Sequence, residues 1–567
     1  MSLANGILSH RLPLLGTLID TGPEIEWRRD YVYGKTSGTG YFRFIPYLNF
    51  DEVGDHKNIW ELNRHQHLVV LAQAFLLAGE AAYKDEIGAE LESWWGQNPF
   101  LKGINWASAL EVAFRALSWL WVDHLIGEAL DENLRRRLWN SLYQHAAFLE
   151  CNLSTYFSPN THLLGEGVAL HAIGVRLKQP KWRQLGAKVV DEELKRQVAP
   201  DGSHFEQSTY YHLYALDFFA LHYLLAGRPE GYVTVLRKMA VFLAAIVGPR
   251  RLLTFLGDDD GGRLFHPYGP RELFPRATLA TCSLLFPGEG LPLEREDLAE
   301  QAAWFLDCEE ASPVPSRGVT KLFPDSDLAS IAGSGSHVLM DAGPFGFGGA
   351  GHSHADTLSI TARSGARELL IDPGTFTYIS DPKLRNLFRG TGFHNTIRIG
   401  GRDQADPAGP FRWANKPGAA VNEWKALDGL TYVDARCSYR GFTHRRRLLC
   451  VAEEWLFVLD EVTGPAGEHL IEQFWHLGDA DVLVLLSDPR AARHEEGLRS
   501  RVMGQKETAP VILVSWMKAL PHVCGAALPL DDRGANGTLE RNGYDLSIPG
   551  VISVAFGVSG MPVVAKA

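Results

Sequence analysis

Between about residues 58 and 307 the apolar side chains recur every three or four positions. In the stretch 61–79, Leu68, Leu71, Ala72, Phe75 and Leu76 form one stripe, the mark of a half-buried helix. Similar helical stretches follow at about 80–97, 106–127, 131–152, 161–176, 181–198, 207–227, 229–248, 271–287 and 294–306. Residues 210–227 (YYHLYALDFFALHYLLAG) are apolar nearly all round, which suits a helix buried between other helices. About ten helices joined by short loops fit a double-layered helical toroid better than a four-helix bundle. Near 309–325 the chain becomes rich in proline and serine and reads as a linker. Beyond it the period drops to two. SHVLMDAG, TLSITARSG, RELLIDPG, NTIRIGG, LTYVDARCSY, RRRLLCVAEEWLFVLDEV, EHLIEQFWHL, DVLVLLS and PVILVSWM are strand-like runs with no helices between them, so an antiparallel β-sandwich is expected. The fold class is therefore a multidomain α+β chain: an N-terminal (α/α) toroid, an incomplete barrel, over 1–315, and a C-terminal antiparallel β-sandwich over 316–567.

Composition narrows the possible partners. The chain has 567 residues, and at roughly 150 residues per domain that allows two to four domains. Its net charge of -12 excludes a general nucleic-acid binder; an anionic ligand must be held by a local basic pocket. Cys151, Cys282, Cys308, Cys437, Cys450 and Cys524 show no CxxC spacing, so neither a disulfide scaffold nor a cysteine zinc site is expected. No apolar run reaches the ~18 residues of a membrane helix. The opening MSLANGILSHRLPLLGTLIDTG has no basic region leading into an apolar core, so no signal peptide is read there.

Polar chemistry is densest at FGFGGAGHSHADTLSI (345–360), where His352, His354 and Asp356 alternate and, if extended, share one side. With Asp372 in LLIDPGT and His394 in GFHNT, His354 makes a set of two imidazoles and a carboxylate that suits zinc, against the plainer reading of histidines satisfied in a glycine-rich turn. In SPNTHLLGEG, Asn160 or Thr161 caps a helix with His162 in its first turn, a rim suited to a carboxylate or simply an ordinary cap. DGSHFEQSTYYHLY brings Tyr210, Tyr211, His212 and Tyr214 into an apolar helix, as core or as site. NIWELNRHQHL and GINWASALEVAFRALSW place Asn63, Arg64, Trp106, Glu111 and Arg115 at helix starts or on apolar faces; Glu111 and Arg115, four apart, form a ready pair. GDDDGG (257–262) offers Asp258, Asp259 and Asp260, either a turn cap or the paired carboxylates of glycoside hydrolysis.

In order along the chain, WELNR, GINW, NTHLLGE, DGSHFEQSTYYH, GDDDGGR, GHSHAD, IDPGTFTY and FHNT resemble the heparinase II/III-like polysaccharide lyases, a superfamily of heparin, chondroitin/hyaluronan and alginate lyases built from an (α/α) toroid and a β-sandwich. The resemblance spans most of the chain. It implies Tyr211 as the catalytic tyrosine, Asn160 as the asparagine on the substrate carboxylate, His162 as a neighbouring base and His352 as the histidine donated by the sandwich. Because Thr161 separates Asn160 from His162, whereas some relatives have the pair adjacent, the role of His162 is the weaker transfer. The resemblance also implies Zn2+ on His354, Asp372 and His394, structural and at the cleft floor. Asn63, Arg64, Trp106, Arg115, Tyr210 and Tyr378 complete the expected substrate-binding set.

The chemistry so implied is β-elimination from a uronic-acid polymer. The C5 proton beside the carboxylate is feebly acidic, and donors that neutralise the carboxylate stabilise the enolate-like intermediate. A base removes the proton and an acid protonates the leaving O4. Arg64 or Arg115 is expected to help Tyr211 ionise, in a cleft locally positive against an acidic exterior. The expected partner is an anionic polysaccharide, a glycosaminoglycan such as hyaluronan, chondroitin or heparan ahead of alginate, with neither nucleic acid nor membrane, for a monomer or homodimer. That substrate class favours a periplasmic or secreted location. The rival readings are a toroidal glycoside hydrolase using Asp258–Asp260 and an inactive carbohydrate-binding relative.

Overall fold

The structure, a computed structural model, describes residues 1–566 except 309, 428 and 532–536. Its helical half contains α1 (Ser2–Leu8), α2 (Phe50–Val53), α3 (His56–Asn63), α4 (Gln66–Ala78), α5 (Ala81–Gln97), α6 (Ala109–Ile126), α7 (Glu132–Asn152), α8 (Thr161–Arg176), α9 (Pro180–Gln197), α10 (Thr209–Leu225), α11 (Glu230–Val247), α12 (Phe274–Leu285) and α13 (Ala302–Leu306). From α4 onward the chain alternates between two layers. Helices α4, α6, α8, α10 and α12 touch one another as an inner ring, and α5, α7, α9, α11 and α13 back them.

Side-chain patterning separates the layers. In α10 every residue from Thr209 to Tyr223 is buried, so the run is apolar all round. Outer helix α9 buries one stripe, including Trp182, Val189, Val190 and Leu194, and exposes its charged face. The α8–α9 contact is made at backbone level: a Cβ on Gly186 would stand 2.3 Å from the His171 amide nitrogen. Two expected helices differ in detail. The 61–79 stretch breaks at His65, which adopts left-handed backbone (φ 57°) and receives the Trp119 indole N–H on its Nδ1 at 2.9 Å. The 294–306 stretch becomes a 3-10 turn, Arg295–Leu298, held by a capping box between Glu294 and Asp297, followed by α13.

Every strand-to-strand ladder of the C-terminal half is antiparallel. A central six-stranded sheet contains Leu430–Tyr439, Phe442–Val451, Trp455–Thr463 and His522–Pro529. One face, with Leu448, Cys450, Leu456 and Val458, packs on the sheets that hold Ser336–Asp341 and Glu468–His476. The opposite face, with Leu449, Val451, Phe457 and Leu459, packs on the sheet of Asp545–Ile548 and Ile552–Ala555. Burial on both faces explains the unbroken apolar runs of this region. The run 445–462 is in fact two strands joined by a turn at 452–454. Its first members, Ala452 and Glu453, adopt positive φ without glycine or asparagine to announce it. DVLVLLS pairs only at Leu485–Leu486.

The halves share a core. Phe323, Leu328 and Leu339 pack into the toroid cluster, and His337 donates from Nε2 to the Ala245 carbonyl at 3.0 Å. The cysteines are free, and among the described residues no helix is long and apolar enough to cross a membrane.

Candidate active site at the toroid–sandwich junction

The loop 257–262 leaves the toroid and runs against the sandwich. Gly257 adopts φ 70°, and a Cβ there would lie 2.6 Å from the His352 carbonyl oxygen, so glycine is required by both conformation and approach. The aspartates that follow are all buried. Asp258 receives a bidentate pair from Arg385, His352 Nδ1 at 3.1 Å, His354 Nε2 at 2.9 Å and the Thr375 hydroxyl at 3.2 Å. Its amide also donates to the His352 carbonyl at 2.8 Å. Burial alone would raise this carboxyl; Arg385, His352 and His354 overcome it and hold Asp258 well below the carboxylate range. Asp259 pairs with Arg271 at 2.8 Å and Asp260 with Lys57 at 3.0 Å. A hydrolytic pair needs one carboxyl free to carry a proton and one free to face water. These three are committed to cations, so the expectation of a glycosidase dyad fails at this loop.

Two aromatic rings from opposite halves meet beside Asp258. Tyr211, in the first turn of α10 behind its Ser208 cap, stacks on His352 with ring centroids 3.8 Å apart. Its hydroxyl lies 3.2 Å from that of Tyr378. Burial, with Asp260 and Tyr378 adding to it, raises the Tyr211 phenol well above its ordinary value, so it is a neutral acid in this closed arrangement. For His352, burial opposes charge, but Asp258 and Glu206 more than offset it and the imidazole is raised.

Asn160 is the N-cap of α8: its Oδ1 accepts from the His162 amide at 3.1 Å, and its Nδ2 donates to Glu206 Oε2 at 2.8 Å. The same oxygen lies 3.5 Å from His352 Nε2. An amide from the toroid and an imidazole from the sandwich thus converge on one carboxylate oxygen. His162 is half-buried, and desolvation lowers it to about 4, leaving a neutral imidazole.

The other expected binding residues lie deeper. Asn63 is fully buried, donating to the Trp27 and Ile59 carbonyls and accepting from the Trp94 indole. Arg115 does not pair with Glu111: it donates to His145 and the Asn105 carbonyl and lies between Trp94 and Trp106. Burial lowers it to about 9. Arg64 holds Glu111 with two hydrogen bonds of 2.7 and 2.8 Å and pairs with Glu61 at 3.0 Å. Trp106 is buried, and the Tyr210 ring packs near Phe255 with its buried hydroxyl unpartnered. These five side chains build the toroid wall behind the site and present almost no surface. Neither arginine is the cation beside Tyr211. That place belongs to Arg385, whose guanidinium stands 4.9 Å from the Tyr378 ring and whose charge interacts with Tyr211. At the junction Lys57, Arg64, Arg271 and Arg385 are each paired with an aspartate or glutamate, where an excess of positive charge was expected.

Arg385 lies on α14 (Pro382–Phe388), capped by Asp381, whose side chain accepts from the Lys383 and Leu384 amides. Nothing in the local sequence singles out Arg385 or gives Glu206 a role, and Asp258 is read there only as part of a turn cap or of a rival carboxylate pair. The signal for α14 was the DP start followed by Arg385 and Arg389 one turn apart.

Beneath His352, one ligand atom each from His354, Asp356 and His394 lies within 4.8 Å of the others. His354 Nδ1 and His394 Nε2 are buried without partners, as lone pairs reserved for a cation would be. Asp372, expected as the carboxylate ligand, accepts from His394 Nδ1 at 2.9 Å and so orients that ring, and the carboxylate grouped with the two imidazoles is that of Asp356. Two imidazoles and a carboxylate fit zinc.

Residues 3–263 match the family model "Heparinase II/III N-terminus" and residues 316–520 the model "Heparinase II/III-like, C-terminal". A heparin-sulfate lyase of Pedobacter heparinus is 25% identical over 469 residues, 76% of this chain and 65% of the relative, so the matched part falls short of two thirds of that protein. A crystal structure of a heparan sulfate lyase from Pedobacter heparinus superposes with a TM-score of 0.59 at 20% identity, covering all of this chain and 88% of that one. A crystal structure of heparinase III gives a TM-score of 0.69 at 17% identity over 89% of this chain and 83% of that one.

Proposed function

This chain belongs to the heparinase II/III-like family, and on that footing we propose that it is a polysaccharide lyase that cleaves heparan-sulfate-type chains by β-elimination, leaving a 4,5-unsaturated uronate. The observation that carries the reading is the pairing of Tyr211 from the toroid with His352 from the sandwich, ring on ring, beside an Asn160 amide that already holds a carboxylate. The names of the sequence relatives favour heparin and heparan sulfate over hyaluronan or chondroitin.

In this mechanism Glu206 turns its Oε2 away, keeping Oε1 on Thr161, and the substrate carboxylate takes the vacated place between Asn160 Nδ2 and His352 Nε2. Hydrogen bonds there draw charge from the ring and make the C5 proton removable. Tyr211 is placed to protonate the leaving O4. Where proton and leaving group share a face, Tyr211 removes the proton as well, its ionisation aided by Arg385; for the opposite epimer the neutral imidazole of His162 is the base. A cation bound by His354, Asp356 and His394 would supply fixed positive charge under the sandwich wall. The residues themselves position His352, because His354 and His352 share Asp258.

The test is Tyr211→Phe. Loss of the phenolic proton is expected to lower kcat by about a hundred- to ten-thousand-fold, read as the ultraviolet absorbance of the new double bond, while heparan oligosaccharide affinity changes little. Equal loss of turnover and affinity, or wild-type inactivity on heparin, heparan sulfate and other uronate polymers, would favour a binding protein.

A further inference from the structure

Outside the junction, a second group of ligating side chains ties the start of the chain to the toroid. His10 stands between α1 and the hairpin of Arg11–Leu14 with Thr17–Asp20, in left-handed backbone (φ 57°). Its Nε2 lies 2.8 Å from Glu86 Oε1 on α5. Glu90, one turn farther along α5, completes a set whose ligand atoms lie within 4.8 Å of one another. Tetrahedral zinc ligands stand about 3.4 Å apart, so small side-chain rotations suffice to close the set.

The His10 ring can offer a ligand atom, and Glu90 points to a cation. His10 Nδ1 faces the Gly22 carbonyl, which can only accept, so Nδ1 carries the proton. Nε2 thus meets the Glu86 carboxylate either as the second N–H of an imidazolium or, in the neutral ring, with a lone pair that a metal ion would take once the two side chains part to ligand spacing. Glu90 is 3% exposed: one oxygen meets His67 Nε2 at 2.6 Å, and the other, Oε1, is buried with no partner. A buried carboxylate oxygen with nothing to accept is costly, and a metal ion removes that cost. His67 fixes the Glu90 carboxylate from behind, the usual task of a residue that orients a ligand.

We propose that His10 Nε2, Glu86 and Glu90 bind a divalent transition-metal cation, zinc foremost, which clamps the N-terminal segment onto α5. One imidazole and two carboxylates leave a fourth position for water and match zinc in donor type. The set is separate from His354, Asp356 and His394, and it does not depend on the lyase reading.

The experiment compares the full chain with Glu86→Gln and His10→Gln, each stripped with chelator, titrated with zinc chloride and freed of excess metal before elemental analysis. Each variant is expected to retain one zinc equivalent fewer than wild type, whatever the sandwich triad holds. Zinc is also expected to raise the wild-type Tm by more than it raises that of either variant. The Glu86 side chain is 20% exposed, so glutamine is accommodated there, and circular dichroism checks the fold. Adding His394→Ala should remove a different equivalent. Equal zinc content in wild type and both variants would overturn the proposal and leave His10 and Glu86 as a simple ion pair.

Discussion

Asp258 is the residue on which the two halves agree. Its two oxygens meet an arginine, two imidazoles and a hydroxyl, all contributed by the sandwich, and they fix the ring of His352 against Tyr211. Replacing it with asparagine would leave the Arg385 guanidinium buried without its countercharge, an expected loss of about 3–5 kcal/mol. Denaturant unfolding of Asp258→Asn measures that loss, and the variant's kcat should fall with it because His352 is no longer held. The aspartate run was visible in the sequence, but its partner was not: Arg385 lies 127 residues downstream, and no local pattern connects them. Asn160 was legible, because a cap is a local device in which the accepting side chain and the donating amide are two residues apart.

Whole elements were read where their period was strong. Helix α8 was expected at 161–176 and lies at Thr161–Arg176, because its cap and its apolar rows speak within one segment. The break between α3 and α4 was invisible, since no proline or glycine marks it and a tryptophan from another helix sets the His65 conformation. Helix packing yields a direct test. Gly186→Ala puts a methyl 2.3 Å from the backbone of α8, so the helices must part, with an expected cost of about 3 kcal/mol seen in thermal melting. At α14, Asp381→Ala removes the cap and should cost about 1 kcal/mol. It should also lower kcat more than it raises KM, because Arg385 rides on that helix.

At the scale of the molecule, the toroid and sandwich are joined partly through a histidine. His337 is buried and donates to Ala245, and desolvation lowers it to about 4, against about 6.5 in an unfolded chain. Above pH 6.5 neither state binds its proton, and the contact contributes fully. As the pH falls from 6.5 to about 4 the unfolded chain takes up a proton that the folded chain refuses, and this stability is lost at up to about 1.4 kcal/mol per pH unit. His337→Gln keeps the donor and removes the titration. Its stability, measured against wild type by denaturant unfolding at several pH values, should therefore fall less steeply over that window.

Taken alone, the order of residues determined two successive architectures, since hydrophobic period is a property of neighbours within a few positions. It also marked the residues of local motifs: Asn160 as a cap, Tyr211 in its helix, and His352 and His354 on one strip. What only folding decided was which charges meet. Arg385 with Asp258, Arg64 with Glu111, and His394 with Asp372 are pairings across tens to more than a hundred residues. Each is selected because a charge removed from water must find its complement in the packed interior, and sequence distance does not enter that choice.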